Sequence, residues 1–103
     1  MPAPISLRLP PDCWWFIQIM RSSPAPIALP EDVLRTLSRA PEVELVTPIP
    51  EPRLVVDLTR PQAEALLRWL QALLDGLPQE DERWLTCLHC IGRVTVAIRL
   101  SET

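Results

Sequence analysis

The 103 residues suffice for one domain that folds on its own core without disulfide staples. Hydrophobic residues make up 48% and charged residues 22%, which excludes a disordered chain. The net charge of −3, with ten arginines scattered singly and no lysine, lacks the basic patch of a nucleic-acid binder.

Residues 1–12 are broken by prolines and lack a charged region followed by an apolar run, so no signal peptide is expected. Residues 1–4 and 101–103 are expected to be disordered tips of a single domain. In residues 5–9, ISLRL, apolar and polar residues alternate, the pattern of a half-buried strand. Pro10, Pro11 and Asp12 read as a turn. Residues 13–20, CWWFIQIM, are apolar on both parities and read as a strand covered on each face.

A proline- and serine-rich loop leads to a helix over about 30–40, with Val33, Leu34 and Leu37 as its apolar stripe and Pro41 as its stop. Residues 42–46 and 53–58 read as two strands joined by a stiff PIPEP connection. Thr59 and Gln62 form a capping box before a helix over 60–76. Ala63, Leu66, Leu67, Leu70, Leu74 and Leu77 recur at helical spacing, and Gly76 then Pro78 end it. This segment is shorter than the ~20 residues of a membrane span and carries Arg68 and Gln71.

Gly92 and Arg93 fit a two-residue hairpin turn that pairs Ile91 with Val94, His89 with Val96, Cys87 with Ile98 and Leu85 with Leu100. The competing reading is a third helix over 79–88, begun by Pro78 and the acids Glu80, Asp81 and Glu82. The hairpin register sorts every residue onto one of two faces and is preferred. The predicted order is ββαββαββ. That makes an α+β two-layer sandwich, a mostly antiparallel sheet with two helices on one face, ferredoxin-like in its middle.

Cys87, His89 and Cys90 are the conspicuous chemical residues. On a strand Cys87 and Cys90 point to opposite faces and cannot share an ion. Cys87 and His89 share a face but give only two ligands where structural zinc wants four, Cys13 being a third. Buried, reduced thiols are the expected state, in a cytoplasmic protein. Thiol or zinc chemistry at Cys87, His89 and Cys90 is the alternative function. Pro2 is a further candidate: with Met1 removed it becomes a secondary amine, the general base of tautomerases, which the chain resembles in that one residue. Ser22, Ser23 and Asp57 have no nucleophile-elbow context. Two glycines are too few for a phosphate-cradling loop, and no cofactor is expected. Glu80, Asp81 and Glu82 read as a solvated surface.

The helix over 60–76 carries a second apolar stripe, Ala65, Trp69, Ala72 and Gly76, beside its leucines. Together they span about 220° of its circumference, more than a one-sided helix needs. Another element of the chain or a second subunit must cover it. The leading expectation is a non-catalytic module acting through protein–protein contact, as a homodimer, with Trp15, Ala65, Trp69 and Ala72 at the interface. Neither nucleic acid nor membrane is an expected partner.

Overall fold

The computed structural model describes residues 4–22, 27–39, 41–46 and 51–102. Seven elements follow one another: β1 (Ile5–Leu9), α1 (Pro11–Met20), α2 (Glu31–Leu37), β2 (Glu42–Val46), β3 (Glu51–Leu58), α3 (Arg60–Gly76) and α4 (Glu82–Ser101). The class is α+β: among the described residues, one three-stranded antiparallel sheet and four helices. The order βααββαα replaces the predicted ββαββαββ, so the ferredoxin-like arrangement is not seen among the described residues.

The sheet has β3 in its centre, between β1 and β2. Ile5 faces Leu58, Leu7 faces Val56 and Leu9 faces Leu54 across the β1–β3 ladder. These pairs form the core face, where Ile5, Leu7, Leu9, Val56 and Leu58 are buried. On the other face Ser6 donates to Asp57 at 2.9 Å, and Arg8 pairs with Glu44 at 3.2 Å. The alternation of ISLRL is thus a one-faced strand, as its period of two requires. Pro52, which cannot donate to a ladder, sits past the end of β1, where β3 has β2 alone beside it.

The stretch 13–20 is not a strand but most of α1. Pro11 occupies its first turn and Asp12 complements the positive end of its dipole, so the apparent turn signal is a helix start. Cys13, Phe16, Ile17 and Met20 recur at i, i+3, i+4 and i+7 and are buried, with Trp14 beside them. An eight-residue apolar run fits both periods, and the helical one wins because it puts this stripe on the core.

The predicted hairpin is replaced by α4. Asp81 is its N-cap, its carboxylate accepting from the Arg83 backbone N–H at 2.9 Å, and Glu82 lies in its first turn. Cys87, Cys90, Val94 and Ile98 are its buried residues, spaced three, four and four. Gly92 therefore makes no turn. α4 packs against α3, α1 and β1, and runs on to Ser101, the first of the residues expected to be a disordered tip.

α3 keeps its predicted bounds. Thr59 accepts from the Gln62 N–H at 3.3 Å, and the Gln62 side chain accepts from the Thr59 N–H at 2.9 Å. Gln62 also donates to Asp32 on α2 at 2.9 Å, and Arg60 pairs with Glu64 at 3.1 Å and with Glu102 after α4. The cap thus anchors α3 to α2, with α4 tied alongside. No helix among the described residues is long and apolar enough to cross a membrane.

Thr59→Ala removes one half of the reciprocal cap and is expected to lower stability by about 1 kcal/mol in urea denaturation. A loss within a few tenths of a kcal/mol would mean that the box contributes little to α3.

Candidate functional site

The α1–α4 contact brings the chain's chemical side chains together. Cys13 lies in the first turn of α1 and His89 and Cys90 near the middle of α4. The Cys13 sulfur stands 3.6 Å from His89 Nδ1. The Cys90 thiol lies 3.8 Å from the Cys13 carbonyl oxygen, to which it donates. Arg93, one turn along α4, donates from Nε to His89 Nε2 at 3.2 Å. Ligand atoms of Asp12, Cys13 and His89 all lie within 4.8 Å of one another. Cys13 is fully buried, while Asp12 and His89 are exposed, so the cluster is a rim with a thiol at its floor.

Charge and hydrogen bonding set its protonation. In a neutral imidazole one nitrogen donates and the other accepts. Because Nε2 accepts from Arg93, Nδ1 carries the hydrogen and points it at the Cys13 sulfur. Contact with the neighbouring Cys90 side chain lowers the Cys13 pKa. Burial opposes it and the Arg93 charge assists. Cys90 is pushed the other way, by the same contact and by burial. Cys87 belongs elsewhere: it donates to the Leu70 carbonyl of α3 at 3.3 Å, and burial pushes its thiol up to about 11.

The set Cys87, His89 and Cys90 therefore does not converge. At about 100° per residue, Cys87 and Cys90 share the core face of α4 and His89 lies on its outer half. The thiol that does meet His89 is Cys13, 76 residues away in sequence. The period-three spacing of Cys87 and Cys90 carried no sign of it; the sign available was a cysteine in the first turn of an amphipathic helix, visible only once 13–20 is read as α1.

The remaining candidates separate. Trp69 and Ala65 are buried inside one chain, with Trp69 at 2% exposure, and Ala72 is half-buried. Trp69 and Ala65 are thus covered from within the chain, which removes them from the surface, while Gly76 at the end of the same flank is exposed. Trp15 stands out of α1 at 62% exposure. Ser22 donates to the Ile19 carbonyl, and Asp57 accepts from the Ser6 hydroxyl on the exposed face of the sheet. Pro2 and Ser23 lie outside the described residues.

A second feature is the outer side of α4. Leu85, Leu88, Val96 and Leu100 are exposed by 43–67%. With Gly92 they fall within about 120° of arc, centred opposite the buried Val94. His89, Arg99 and, at its edge, Glu82 share that arc as its polar members. No family model, no curated protein and no solved structure matches the chain.

The acidic run before α4 has a capping role. Hydrogen bonds from the Arg83 side chain, then from its backbone N–H, lower the Asp81 pKa from 3.8 to about 2. A depressed carboxyl pKa contributes stability in full above the unfolded value and loses it as pH falls through the folded one. Stability is therefore expected to drop between about pH 4 and pH 2, and Asp81→Asn to flatten that part of a urea-midpoint profile against pH.

Proposed function

We propose that the protein is a self-associating, non-catalytic module whose contact surface is the outer face of α4, with Trp15 on α1 as a further contact residue. One observation carries this reading: α4 has a second apolar stripe diametrically opposite the one that packs on the core. A helix apolar all round belongs in an interior. Singly exposed apolar residues need no explanation, but four in register along one helix make a patch.

The occupant that fits is a second copy of the chain. In a twofold contact each surface must complement itself. The stripe is close to symmetric about Gly92: Leu88 and Val96 lie four residues to either side, and Leu85 and Leu100 lie seven before and eight after. Two α4 helices crossing antiparallel at Gly92 set Leu88 against the partner's Val96 and Leu85 against the partner's Leu100. Gly92 supports the same arrangement. Glycine inside a helix costs about 1 kcal/mol relative to alanine. Nothing within 4 Å of a Cβ placed there requires glycine in the single chain. A close helix crossing would require it.

Trp15 and Ile19, one turn apart on α1 and each 62% exposed, extend the apolar surface available to a partner. Tryptophan is enriched among residues that dominate binding energy. Trp69 and Ala65, both buried, support the fold rather than the contact.

Light scattering on the purified chain is expected to give twice the mass of one chain at about 10–100 μM, a range set by ordinary homodimer affinities. Leu88→Glu with Val96→Glu should return it to one chain while circular dichroism stays unchanged, because both side chains are exposed. A wild-type chain that stays monomeric across that range sinks the reading.

A further inference from the structure

We propose that Asp12, Cys13 and His89 form a binding site for a zinc-class divalent transition-metal ion at the seam between α1 and α4. The site uses none of the apolar residues of the α4 stripe, although His89 lies on the same outer arc.

Geometry is the first ground. Zinc binds thiolate sulfur at about 2.3 Å and imidazole nitrogen at about 2.0–2.1 Å in a tetrahedral arrangement. Two such ligands on one ion stand about 3.5 Å apart, from those lengths and a tetrahedral angle. Cys13 Sγ and His89 Nδ1 stand 3.6 Å apart. The carboxylate of Asp12 lies within 4.8 Å of both, on an exposed side chain that can close the remaining distance. The two backbones that carry the ligands are helices packed on each other, so the sulfur and the imidazole are held in place before an ion arrives.

Donor chemistry is the second. A thiolate, an imidazole and a carboxylate suit zinc or cobalt; magnesium and calcium take oxygen ligands. Three protein ligands leave the fourth tetrahedral position to water on the exposed side, where Asp12 and His89 open to solvent. Cys90 stays outside the set, its thiol directed at the Cys13 carbonyl.

Arg93 has a definite role. Its Nε–H holds His89 Nε2 as an acceptor, which keeps the imidazole proton on Nδ1, where the ion would bind. Loading therefore moves that proton to Nε2, releases Arg93 from it, and gives the Cys13 thiol proton to solvent; no electron is transferred. Arg93 opposes binding both as a competing hydrogen-bond donor and as a positive charge. The sign of its substitution separates a metal site from a cluster in which Arg93 merely supports His89.

Cobalt(II) titration of the purified chain tests this. One equivalent per chain should bring up a thiolate-to-cobalt charge-transfer absorption, and zinc should displace it. His89→Ala, at an exposed position, should abolish the band without unfolding the chain, and Asp12→Asn should weaken binding about 10–100-fold, the size of effect seen on losing a supporting carboxylate. Arg93→Ala should tighten binding, by up to about 10-fold on the same scale. Absence of the band in the wild-type chain overturns the proposal. So does a band of undiminished strength in folded His89→Ala, which would assign the sulfur to an adventitious thiol complex. Weaker binding in Arg93→Ala would overturn the tautomer argument and with it the assignment of Nδ1 as the ligand.

Discussion

The buried stripe of α4 is the constraint on which the rest of the molecule depends. Cys87, Cys90, Val94 and Ile98 occupy one side of a 20-residue helix and are wholly or almost wholly removed from water. Three neighbours share that side: α3, α1 and the first strand of the sheet. Burying apolar area at roughly 25 cal/mol per Å² makes this the surface that the sheet and helices gain most by sharing. Once α4 is seated there, Cys13 is brought to His89, and the opposite side of α4 is left facing water. Chemistry and exposure are two consequences of one docking event.

The thiols illustrate how placement decides chemistry. The chain has three cysteines, all reduced and all buried, yet they differ in kind. Cys87 points at a carbonyl of α3 inside the core, where desolvation holds its proton on. Cys13 stands at the positive end of a helix and in contact with Cys90, which lowers its pKa. Cys90 itself donates to the Cys13 carbonyl. Histidine completes the arrangement because Arg93 holds its far nitrogen. The proposed ion and the proposed twofold contact meet on one helix: His89 is both a rim ligand and a polar member of the outer arc. A partner chain lying along α4 would rest beside the ion.

Local signals were readable where one period alone fitted. ISLRL alternates and is a strand; the capping box of Thr59 and Gln62 with leucines at helical spacing is α3, to the residue. They failed where a segment is apolar on all sides. CWWFIQIM and the run from Trp84 to Leu100 satisfy a strand and a helix equally well, so the choice passes to whatever packs on them. In both, a helix-start signal was present: Pro11 with Asp12, and Asp81 with Glu82. The glycine at 92 outweighed the second, because a hairpin turn is the commonest reason for glycine between apolar residues. Its Cβ-free surface in mid-helix is a different reason, and nothing local distinguishes the two.

The amino-acid sequence by itself determined the class of object: an α+β fold with an antiparallel sheet, a capped leucine-rich helix ending at Gly76, and cysteines without disulfides. These follow from hydrophobic periodicity, capping and composition, which act over a few residues. Tertiary structure alone decided that 11–20 and 82–101 are helices, that Trp69 is covered from inside, and that Cys13 rather than Cys87 meets His89. Those outcomes hang on contacts between elements distant in the sequence, Cys13 and His89 lying 76 positions apart, and side-chain burial at such distances is settled only when the elements dock.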